Sequence, residues 1–174
     1  MENKPTWKQK LSVFLVKNTP PGMNTDRLIG GYLSGLTMML CFSFRFFGQY
    51  KTAYEELFQW PVGSKKVLRP GAVMLDFSEI LGDSLQPFFL YCFLVMAVVL
   101  WNYLYYYQES KSIYVMKRLP NPVELHRRAW VLPLLAVAAT LVFTFLVLIL
   151  YFEFYMMFTP EQCIASGQWK NIWR

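Results

Sequence analysis

The chain predicts an all-α membrane protein with three transmembrane helices. An N-terminal interfacial helix, an outer amphipathic helix and a short cytoplasmic transverse helix complete the expected fold. Three observations lead there. Only 16% of the 174 residues are charged, whereas a soluble domain carries about 25%. The deficit is local: almost no charge falls within 28–44, 87–107 or 130–152, and about 20 apolar residues suffice to cross a bilayer. The whole chain is 55% hydrophobic and 18% aromatic, with a mean hydropathy of +0.28. Residues 1–174 therefore read as one membrane unit. Three spans bury little surface among themselves, so further membrane subunits are expected around them.

The first expected element covers 6–17. Trp7, Leu11, Phe14 and Leu15 follow one helical face, while Lys8, Lys10 and Lys17 lie elsewhere. A short helix with tryptophan at its edge and lysines on its polar side suits the membrane–water boundary. The plainer alternative is a frayed basic tail. Asn18-Thr-Pro-Pro-Gly22 breaks it, because consecutive prolines cannot continue a helix.

The first span is expected over 27–50, capped by Asp26 or Thr25. Gly31 and Gly35 form a small-xxx-small face that would let another helix approach closely. Arg45 falls near its far end, where it would snorkel to the headgroups or, alternatively, line a transport pathway.

Residues 51–86 form a long outer connection, with turns at Gln59–Gly63 and Arg69–Gly71. Between Gly71 and Leu85 an amphipathic helix is expected. Val73, Phe77, Ile80 and Leu81 would share its apolar face, and Asp76, Glu79 and Asp83 its solvated face. These carboxylates lack the spacing of a calcium loop. The second span, 87–107, ends in Trp101-Asn-Tyr-Leu-Tyr-Tyr-Tyr107, an interfacial aromatic belt. Asn121-Pro-Val-Glu124 is a helix-start signature, so the third helix begins near Pro122, below the membrane. Its span covers 130–158, with Pro133 as a candidate kink. Glu153 near its outer end is either a pathway carboxylate or an interfacial one. The outer tail, 159–174, holds Trp169 and Trp173.

The net charge of +6 is distributed unevenly. With the N-terminus inside, 10 of the 17 basic residues fall on the cytoplasmic side and 7 outside. That places the chain in the cell (plasma) membrane as a multi-pass protein, N-terminus cytoplasmic and C-terminus outside. The basic side faces anionic lipid. Nucleic acid is an unsuitable partner, because no basic patch alternates with stacking aromatics on a soluble module. Cys41, Cys92 and Cys163 lack zinc-ligand spacing, and no cofactor is expected in this chain. His126 stands beside Arg127 and Arg128 with no second histidine, so a structural or lipid-facing role is expected and an enzyme is not.

The segment most suited to carry function is 108–129, a basic stretch held between two spans. Ser110 or Ser112 can start a short helix that Pro120 stops near Leu119. Ile113, Met116 and Leu119 recur at spacing three, flanked by Tyr114, Lys117 and Arg118. Leu119-Pro120 then breaks the chain before the helix start at Asn121–Glu124. This pattern, and the order of interfacial helix, span, outer connection, span, transverse helix and span, resembles the N-terminal half of the membrane (permease) subunit of an ATP-binding-cassette (ABC) exporter. The resemblance implies that 112–128 corresponds to a coupling helix docking on an ABC ATPase subunit through Ile113, Tyr114, Met116, Lys117, Arg118 and Leu119. Such subunits have six spans and this chain has three. That implies a split half-permease or an accessory subunit. No GxxxxGK[ST] motif occurs, so ATP hydrolysis would come from a partner chain. The alternative class is a non-transport adaptor or sensor whose inner loop recruits a cytoplasmic signalling protein.

Overall fold

The computed structural model describes residues 6–19, 23–59, 67–108 and 122–164, with the side chains of 105–108 and 122–125 excepted. Nearly all of these residues are helical. Helix α1 is Trp7–Asn18, α2 Thr25–Ser43, α3 Arg45–Glu56, α4 Phe77–Leu81, α5 Gln86–Gln108 and α6 Pro122–Phe158. Strands β1 (Phe58–Gln59) and β2 (Val67–Leu68) pair antiparallel, and a 3-10 turn covers Glu161–Cys163. Three helical stretches are long and apolar enough to cross a membrane: Thr25–Glu56, Gln86–Leu104 and His126–Phe158. Contacts gather in two units, residues 1–38 with 89–141 and residues 39–88 with 142–174.

In the first unit, α1 and α2 meet at a hydrogen-bonded elbow. Asn18 Nδ2 donates to the Phe14 carbonyl (2.9 Å) and Thr19 Oγ1 to that of Leu15 (2.8 Å). Thr25 Oγ1 then donates to Thr19 Oγ1 (3.0 Å). These side chains take up carbonyls that the end of a helix leaves without backbone partners. The cap of α2 differs from the expected Asp26 or Thr25. Asn24 Oδ1 accepts the backbone N–H groups of Asp26 (2.9 Å) and Arg27 (3.3 Å). Thr25 and Asp26 are already inside the helix, and the Thr25 hydroxyl serves the elbow.

The two glycines of the expected packing face are not equivalent. A Cβ on Gly35 would lie 2.5 Å from Cε2 of Tyr91, whereas one on Gly31 would meet nothing within 4 Å. Gly35 therefore lets α5 approach α2. The Tyr91 hydroxyl fixes the approach by donating to the Tyr32 carbonyl (2.6 Å).

In the second unit the core is aromatic. The Phe46 ring stacks on Tyr151 with centroids 4.4 Å apart and planes within 5°. Phe77 and Phe47 meet these rings edge-on or nearly so. Offset and edge-to-face contacts suit rings whose faces are negative and edges positive. Ser43 Oγ donates to the Leu40 carbonyl (3.0 Å), so the bond between Ser43 and Tyr151 (2.7 Å) runs from the tyrosine hydroxyl to the serine oxygen. That serine turn marks a division the sequence reading lacks. The N–H of Phe44 bonds to Cys41 and that of Phe47 to Phe44, three residues back in each case. The helix tightens there and restarts as α3, which runs to Glu56 rather than ending by residue 50. Tyr50, Ala53 and Leu57 are buried and hold this extension in place.

The outer connection also departs from expectation. A helix between Gly71 and Leu85 is reduced to the five residues of α4. Residues 72–76 are instead non-helical, because tertiary partners hold their backbone. The Met74 N–H donates to the Cys163 carbonyl (2.8 Å), and the Tyr155 hydroxyl donates to that of Leu75 (3.0 Å). Gly82, at φ 41°, ends α4 in a conformation that L side chains rarely adopt. The Arg69–Ala72 turn forms, with Gly71 at φ 79° and Ala72 N–H bonded to the Arg69 carbonyl (3.1 Å).

Candidate functional site

Helix α5 runs to Gln108 and α6 starts at Pro122. Ile113, Tyr114, Met116, Lys117, Arg118 and Leu119, with the expected transverse helix, lie outside the described residues. The helices on both sides of their segment are described, and within the first unit Asn102 and Tyr103 of α5 contact His126, Ala129 and Trp130 of α6.

Tyr103 sits on the last turns of α5. Its hydroxyl lies 2.6 Å from Nδ1 of His126 and accepts the indole N–H of Trp130 at 3.0 Å. His126 and Trp130 are four residues apart, so they share one face of α6 and can reach a single oxygen. The phenol oxygen has two lone pairs, so the indole bond leaves both senses of the Tyr103–His126 bond open, and the imidazole tautomer sets which atom donates. The rings of Tyr103 and His126 are 5.7 Å apart, tilted by 49°. One residue earlier on α5, Asn102 is 2% exposed. Its Nδ2 reaches the Ala129 carbonyl at 3.5 Å, and its buried Oδ1 has no hydrogen-bond partner.

No protein-family model matches this chain, and neither does any curated protein or solved structure.

The single histidine uses one ring nitrogen to hold a tyrosine, and no carboxylate takes part in the contacts described for it. Among the described residues no three His, Cys, Asp or Glu side chains gather to hold a metal ion. The contacts of this cluster tie α5 to α6.

The other expected site residues are spread out. Arg45 opens α3 and Glu153 lies on α6; both are exposed, and no described contact joins them. Gly35 packs against α5 and Gly31 is open.

The sequence reading took Tyr103 as one of several boundary aromatics and His126 as an isolated side chain. It passed over Asn102, the one amide inside 87–107. Two signals were present: that amide in an apolar run, and a His and a Trp at helical spacing four. Neither names its partner on the other helix.

Proposed function

We propose that this chain is a membrane subunit of an ABC-type transporter complex, half-size or accessory. A cytoplasmic ATPase docks on 112–128 and moves the spans through it. The observation that carries the proposal is the sequence of this segment: a short apolar-basic knuckle, Ile113 to Leu119, a Leu-Pro break and a helix start leading directly into a span. The helix bounds support it, since α5 and α6 flank the segment closely on both sides. So does the polar tie between their ends, because a knuckle transmits force only if its base is stiff.

The remaining elements fit the same role. Helix α1 exposes Trp7, Leu11 and Phe14 together with three lysines, as a helix lying in the membrane interface would. The spans leave most of their surface uncovered. Only 11%, 28% and 22% of their apolar windows are buried within the chain. Lipid and the helices of a further membrane subunit would cover the rest. The basic residues put the N-terminus in the cytoplasm and the C-terminus outside.

The test is to purify the full chain from its native membranes in mild detergent and identify what comes with it. An ABC ATPase is expected, and Met116→Asp or Arg118→Asp should release it. Capture of a signalling protein in its place would favour the adaptor reading. Retention of the ATPase after both substitutions would overturn the coupling role of the knuckle.

A further inference from the structure

Two helices inside a bilayer gain nothing from the hydrophobic effect by touching, because lipid tails are as apolar as their side chains. Close packing and hydrogen bonds hold them together. Helices α5 and α6 concentrate such bonds at one level. Asn102 and Tyr103 are neighbours on α5, while His126, Ala129 and Trp130 occupy one face of α6. The level matters. It lies about one and a half turns before α5 ends at Gln108 and about one turn after α6 starts at Pro122.

We infer that Tyr103, His126 and Trp130 form a clasp that locks the base of the 109–121 segment, so that a push on the segment moves α5 and α6 together rather than splaying them. Tyr103 is the pivotal positioning residue. One phenol oxygen accepts the indole N–H and bonds the imidazole Nδ1, so three side chains depend on a single atom. Phenylalanine at this position keeps the ring and removes both bonds. Histidine at 126 bonds the phenol through Nδ1. Glutamine carries both an N–H donor and an acceptor oxygen and keeps that bond in either sense, whereas leucine makes none.

The purpose of the clasp rests on the coupling role proposed above, but its existence does not, and two readouts separate them. The first is amide hydrogen exchange of the full chain in lipid nanodiscs. Tyr103→Phe and His126→Leu should each raise exchange about tenfold at 104–108 and 122–126. His126→Gln should stay near wild type, and the peptides around Tyr151 should be unchanged. Unchanged exchange at both helix ends in Tyr103→Phe and His126→Leu, with the protein still folded, would overturn the clasp. If Tyr103→Phe does not fold, the comparison of His126→Leu with His126→Gln decides the matter alone. The second readout is ATP turnover by the co-purified ATPase. Tyr103→Phe should capture as much ATPase as wild type yet lower turnover severalfold, with His126→Gln close to wild type. Equal turnover in all three would remove the clasp from coupling. A wild-type chain that captures no ATPase sinks the coupling role and leaves the exchange result to decide the clasp.

Discussion

Single side chains decide how closely the helices approach. Gly35 meets the Tyr91 ring at a distance where any Cβ would collide, while Gly31 faces open space. Gly35→Ala must displace a ring whose hydroxyl is anchored on Tyr32, and overpacking of this kind costs about 1–3 kcal/mol. Gly31→Ala should stay within about 0.5 kcal/mol of wild type. Thermal unfolding in detergent compares the two, and equal shifts would refute the asymmetry. Ser43 and Tyr151 make a second contrast. Ser43→Ala leaves the Tyr151 hydroxyl buried without its acceptor, at a cost of about 1–3 kcal/mol. Adding Tyr151→Phe removes the orphaned group, so the double variant should recover most of that loss in a double-mutant cycle. Additive losses would show that the hydrogen bond contributes little. The GxxxG pattern was legible in the sequence; which glycine of the pair touches another helix was not, because that depends on where Tyr91 projects.

At the scale of elements, charge-free runs announce the long apolar helices plainly. Helix α5 lies within a residue at each end of the 87–107 span read from sequence, and α6 begins at the Pro122 that Asn121–Glu124 signals. Apolar length and helix-start chemistry are local properties, so they survive folding. The outer connection shows the reverse. Its residues 71–85 have helical periodicity, yet bonds to Cys163 and from Tyr155 draw 74 and 75 out of the helix. Tyr155→Phe should free the Leu75 carbonyl and speed amide exchange at Met74 about fivefold, the equivalent of about 1 kcal/mol. Exchange at wild-type rate would mean that the non-helical stretch is held by its neighbours alone. The split of the first span into α2 and α3 was equally hidden. A serine and four phenylalanines in Phe42–Phe47 are compatible with a continuous helix, and the turn is stabilised by Tyr151, far along the chain.

For the molecule as a whole, the expected topology makes a direct prediction. In a cysteine-free background, single cysteines at Lys8 and Arg118 should label only from the cytoplasmic side. Cysteines at Val73 and Lys170 should label only from outside. Arg118 labelling from outside would invert the orientation and remove the knuckle from any cytoplasmic ATPase. The same experiment bears on lipid contact, since the basic residues would then face the leaflet rich in anionic lipid.

What the sequence determined by itself is the inventory of rods and their order: three apolar runs, their polar connections, and a basic segment between the second and third. Lipid rewards apolar length wherever it occurs, and that needs no knowledge of neighbours. The tertiary structure alone decided which rods touch and through what. Gly35 and Tyr91 meet, Phe46 and Tyr151 stack, and Tyr103 finds His126 and Trp130, because a hydrogen bond or a ring contact needs two groups at a set distance. No stretch of sequence contains both ends of such a distance until the chain has folded.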